Sequence, residues 1–129
     1  MTDVSQKLAA YPRALSERLC ALRALILDIA TSSLAIGTVD ESLKWGQASF
    51  ATTAPKSGTP IRMDGDAERG TYSVYVSCST DIIESFRDLH PDLFEYHGNR
   101  EIRLCLSDPL PVAELTLFLT AALRYYLDK

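Results

Sequence analysis

The 129 residues fit the commonest size of one domain, and a composition that is 47% hydrophobic and 23% charged is too apolar for a disordered chain. A net charge of −4 excludes a broad nucleic-acid-binding surface, which needs clustered Lys and Arg, but permits a small basic pocket. No leader segment and no apolar run of spanning length is visible, so the expectation is a single cytoplasmic domain over 1–129 with no nucleic-acid or membrane partner and with Cys20, Cys78 and Cys105 reduced.

Helical periodicity runs from about Val4 to Ile29, with Leu15, Leu19, Leu22, Ile26 and Ile29 on one stripe and Pro12 separating a short lead-in from the main helix. The Thr31-Ser32-Ser33 cluster and Gly37 end it. Short extended segments follow. Leu43 and Trp45 alternate with Ser42 and Lys44, and Ala48 to Thr52 is predicted to pair back across Gly46-Gln47. Pro60 to Met63 is a third strand and Asp64 to Gly70 a polar loop. Tyr72, Val74, Val76 and Cys78 form the clearest alternation. Thr80 or Asp81 caps a helix with Ile82, Ile83, Phe86 and Leu89 on its apolar face, and Asp81 with Glu84 approximates a capping box.

Leu93 to Leu106 reads as a hairpin. Matching Phe94 and Tyr96 with Ile102 and Leu104 sets positions 96 and 102 opposite each other and leaves Gly98-Asn99-Arg100 as the connection. The last helix starts at Pro111 and is apolar at Leu115, Phe118, Leu119, Ala122, Tyr125 and Tyr126, widened by Leu117, Leu123 and Leu127. Helices without alternating βαβ units predict an α+β fold. Its mainly antiparallel sheet has about five or six short strands, packed by N-terminal, middle and C-terminal helices.

Catalytic and metal signatures are weak. The cysteines and His90 and His97 show neither CxxC nor HExxH spacing, and Cys20 and Cys78 read as small core residues. Asp64 to Glu68 fails as a calcium loop, because Arg69 and Tyr75 stand where glycine and glutamate are needed. Neither a GxSxG elbow nor a P-loop occurs. Glu95 and His97 share one side of a strand and read as a surface contact. What remains is a set of directed donors beside turn glycines. Lys44, Trp45, Gln47, Ser49, Arg62, Asn99 and Arg100 are the ligand-binding candidates, with Trp45 read first as a core residue.

Several segments look familiar together. Leu22-Arg23-Ala24-Leu25-Ile26, Glu41-Ser42-Leu43-Lys44-Trp45-Gly46-Gln47, Gly58-Thr59-Pro60-Ile61-Arg62, Phe86-Arg87-Asp88-Leu89-His90-Pro91-Asp92-Leu93-Phe94, Gly98-Asn99-Arg100-Glu101-Ile102-Arg103 and Pro109-Leu110-Pro111 resemble the YdhG-like family, domain of unknown function 1801. The resemblance covers most of the chain. It implies a compact fold of cytoplasmic, bacterial character, without an enzymatic activity established for most members. One branch is frataxin-like and delivers iron, which a dense acidic ridge would bind. Here the first helix offers only Asp3, Glu17 and Asp28, so iron as a cofactor falls to Asp40, Glu41, Asp64, Asp66 and Glu68 as the alternative. The leading expectation is a non-catalytic module that needs no cofactor and binds a small anionic or polar ligand or a protein partner. It is a monomer or a homodimer through the C-terminal helix.

Overall fold

The computed structural model describes residues 3–128. Helix α1 (Asp3–Ala9) leads through Tyr11-Pro12 into α2 (Arg13–Thr31). Strands β1 (Thr38–Lys44), β2 (Gln47–Thr53), β3 (Ile61–Asp66) and β4 (Thr71–Tyr75) precede α3 (Ile82–Leu89). The hairpin β5 (Glu95–His97) and β6 (Glu101–Cys105) leads to α4 (Val112–Leu123). The sheet has six strands in the order β1-β2-β3-β4-β6-β5, every neighbour antiparallel. The α+β fold expected from the pattern of elements is the one found.

One face of the sheet carries the core. Ala48 and Phe50, Ile61 and Met63, Tyr72 and Val74, and Ile102 and Leu104 alternate along their strands and are buried under the helices. The stripe Leu15, Leu19, Leu22, Ile26 and Ile29 of α2 is buried against them, each such side chain contributing about 2 kcal/mol. Gly65 sits on this face because a Cβ there would lie 2.6 Å from Leu15 Cδ2. The hairpin register is as expected, Tyr96 facing Ile102 with Gly98-Asn99-Arg100 between His97 and Glu101.

Five expectations need correction. The first hairpin turns on Trp45-Gly46, not Gly46-Gln47, and both residues have positive φ, 55° and 75°. That is the paired conformation of a two-residue turn, and tryptophan is no signal for it. As a result Trp45 is not in the core but 90% exposed. Residues 64–66 belong to β3 rather than a loop. Asp81 is the N-cap of α3 without a side-chain capping bond, so no capping box forms. All three cysteines are exposed. Cys20 follows Leu19 off the α2 stripe, and Cys78 lies beyond the end of β4, where alternation no longer governs burial.

The link between α1 and α2 is tied down by Tyr11, whose hydroxyl donates to Asp64 Oδ1. Burial and that carboxylate push the phenol well above its ordinary range. Burial chiefly raises Tyr72, Tyr75 and Tyr96 as well. In the unfolded chain these phenols ionise near pH 10, while the folded chain still holds their protons. Their contribution is therefore complete below about pH 10 and is lost as pH rises through the folded values. The urea midpoint is expected to fall between about pH 9 and about pH 11, and less steeply in Tyr11→Phe. An unchanged slope in that variant would show that Tyr11 does not couple to folding.

Candidate functional site

On the face of the sheet turned away from the core, polar side chains line up in rows. One row runs Ser42, Ser49, Arg62, Tyr75, Glu101, His97 from edge to edge. The parallel row two residues on includes Lys44 and Gln47 at one end, then Asp64, Ser73, Arg103 and Glu95. Ser73 and Tyr75 share this face because they alternate with Tyr72 and Val74. The pairing of β4 with β6, which are not consecutive, brings Glu101 and Arg103 beside them.

Most charges on this face are already paired. Glu101 Oε2 accepts from Ser73 Oγ at 2.7 Å and from Arg103 Nε at 3.1 Å. Asp64 Oδ2 accepts from Gln47 Nε2 at 3.3 Å. Asp66 Oδ1 accepts from the backbone N–H groups of Glu68 and Arg69 at 3.1 Å. Asp64, Asp66, Ser73, Glu101 and Arg103 line a polar hollow of about 380 Å³, and each of them already has a partner within the protein. His97 contacts Glu95 at the exposed edge, as the spacing in β5 predicts.

A second cavity, of about 310 Å³, differs in kind. It is lined by Pro60 and Arg62 at the start of β3, by Val76, Ser77 and Cys78 just past β4, and by Arg100 of the last hairpin turn, with no carboxylate among them. The turn is held there from two sides. Val76 N–H donates to the Arg100 carbonyl at 2.8 Å, and Arg87 of α3 donates to the Gly98 carbonyl. Gly98 takes φ 60°, which lets the chain reverse in three residues. The Arg62 guanidinium lies over the Tyr75 ring, 5.9 Å from its centroid. Among the described residues, neither Arg62 nor Arg100 has a carboxylate within ion-pair distance.

The sequence candidates therefore divide. Arg62 and Arg100 meet at one cavity, and Ser49, 3% exposed, lies beside Arg62 across the β2–β3 ladder. Asn99 is exposed in the same turn as Arg100. Lys44, Trp45 and Gln47 are elsewhere. Strand directions put the Trp45-Gly46 turn at the opposite end of the sheet, four strands over from Gly98-Asn99-Arg100. At strand spacing and rise this is roughly 20 Å, so the two turns do not form one pocket. Ser77 carries no site signal in the sequence and Cys78 reads there as a core residue, because both continue the strand pattern while lying outside the strand.

The acidic set does not converge either. Asp40 and Glu41 point to opposite faces of β1, and Glu41 is held by Arg23, whose Nη2 is 2.9 Å from Oε2. Asp40 lies two strands and four residues from Asp64, on the order of 15 Å. Among the described residues no group of three or more His, Cys, Asp or Glu side chains is arranged to hold a metal ion. No described helix is long and apolar enough to cross a membrane. The apolar face of α4 is largely used in the core, through Leu115, Phe118, Leu119, Ala122 and Leu123; Leu117 is left outside, and Leu127, expected on this helix, is exposed beyond its end.

No family model and no curated protein matches this chain. Among solved structures it is similar to a DUF1801-family protein, YdhG from Bacillus subtilis, at 20% identity and a TM-score of 0.71. The likeness covers 98% of this chain and 91% of that one. The sequence motifs and the architecture thus lead to the same place: this chain has the fold of the YdhG-like DUF1801 proteins.

Proposed function

We propose that this chain is a non-catalytic binding module for a small anion bearing a phosphate or carboxylate group, held between Arg62 and Arg100. One observation carries the reading: two guanidiniums without acidic partners share a cavity that has no carboxylate in its wall. A guanidinium offers a planar fork of donors that matches either oxyanion, and the Tyr75 ring limits the positions Arg62 can take. Ser77 adds a hydroxyl, although its oxygen also contacts Ser79 at 2.7 Å. Nothing near the two arginines combines a nucleophile with a base oriented by a third group, so binding rather than turnover fits the residues.

Two charge-assisted contacts at a partly exposed site support about 4 to 5.5 kcal/mol of binding, a Kd of roughly 0.1–1 mM that weakens with salt. Calorimetric titration with pyrophosphate is expected to give saturable binding that Arg62→Ala with Arg100→Ala abolishes and Lys44→Ala leaves unchanged. Equal affinity in the double variant would remove the site.

A further inference from the structure

β1 is an edge strand whose one strand neighbour is β2. Lys44 and Gln47 close a two-residue hairpin, so Lys44, Ser42, Asp40 and Thr38 exchange their backbone hydrogen bonds with β2. The alternate residues Val39, Glu41 and Leu43 therefore turn their N–H and C=O groups away from the sheet. Edges of natural sheets are commonly blunted by proline, a bulge or lysines along the strand. β1 pairs over seven residues without a bulge, has no proline and carries a lysine only at its end; its inward-facing charge, Glu41, is paired with Arg23, which leaves Asp40 as its one other charge.

Exposed apolar groups flank both ends of this edge. At the upper end Trp45 is 90% exposed beside Leu43 at 41%. At the lower end a groove of about 540 Å³ is lined by Leu27, Ala30, Leu34, Ile36, Gly37 and Val39, and Leu34 is fully exposed.

We propose that β1 pairs with β1 of a second copy of this chain, antiparallel about a two-fold axis at Glu41, so that two sheets become one. Directly opposed residues must lie on the same face, which restricts the pairing to steps of two. With Glu41 on the axis, Val39 faces the partner's Leu43, and the symmetry repeats that contact. A step of two residues in either direction instead sets Leu43 or Val39 against the partner's Glu41. Beyond the ladder, the turn that carries Trp45 comes close to the partner's Gly37, which lies just before β1 at the groove whose apolar walls can cover an indole. Lys44 lies one diagonal step from the partner's Asp40. The two Glu41 side chains meet as neutralised groups, because Arg23 holds each carboxylate.

The chain has one tryptophan, which makes Trp45 its own reporter. Sedimentation equilibrium over a dilution series is expected to show a monomer–dimer equilibrium, with Trp45 emission moving to the blue as the dimer forms. Leu43→Lys, at an exposed position, and separately Trp45→Ala should each raise the dissociation constant about tenfold or more while circular dichroism stays unchanged. A monomer at every concentration with constant emission overturns the proposal. So does a dimer that neither substitution weakens, since its contact would lie on another face, such as the exposed Leu117 side of α4.

Discussion

Gly58→Ala is expected to destabilise the fold by about 3 kcal/mol or more, read as a lower midpoint in urea denaturation. The segment Ser57-Gly58-Thr59 is packed against the end of α4 and supplies the partners its last turn lacks. Thr59 N–H donates to the Ala122 carbonyl at 3.0 Å, and Ser57 Oγ donates to the Leu123 carbonyl at 2.9 Å. Returning the contact, Tyr126 N–H donates to the Ser57 carbonyl at 2.9 Å. A Cβ on Gly58 would lie 2.3 Å from the Ala122 oxygen and 2.5 Å from the Leu123 oxygen. Both are backbone atoms, so relief requires breaking those bonds rather than rotating a side chain. Gly46→Ala is the contrast: its Cβ meets nothing within 4 Å, leaving only the positive φ, a cost of about 1 kcal/mol. A loss at Gly58 no larger than at Gly46 would contradict the packing described.

Phe118→Ala is expected to cost about 3 to 5 kcal/mol, through lost burial and the cavity left behind. Phe118 is fully buried and meets Phe86 and Phe94 edge-on, with centroids 5.2 and 5.7 Å away. It thus joins α4 to α3 and to the segment entering β5. Because Arg87 of α3 holds the Gly98 carbonyl, loosening α3 also loosens the turn that presents Arg100. Hydrogen exchange at residues 98–100 should therefore quicken along with the global loss. A cost under about 2 kcal/mol would mean that the aromatic cluster collapses around the gap.

Much of the fold was legible in the sequence because burial there follows simple periods. The α2 stripe, the β4 alternation and the pairing of Tyr96 with Ile102 all rest on apolar residues at spacings of 3.6 or 2. Where the physics was tertiary the reading failed. Trp45 looked inward by alternation, yet the hairpin turns one residue earlier and leaves it outside. Cys78 continued an apparent strand that ends at Tyr75. A third of the residues lining the candidate cavity were legible too, since Arg62 and Arg100 stood out as donors near turns. Their meeting was not, because it depends on β6 lying between β4 and β5, an order that no local pattern encodes. Lys44 and Gln47 stood out for the same reason as Arg100 and belong to the opposite end of the sheet.

The most direct test is anomalous diffraction from crystals of this chain soaked in tungstate, a heavy oxyanion. The expected result is a peak between the Arg62 and Arg100 guanidiniums, absent from crystals of the Arg62→Ala, Arg100→Ala variant. Tungstate bound at the Lys44 end of the sheet, or nowhere on that face, would contradict the assignment of this cavity as an anion site.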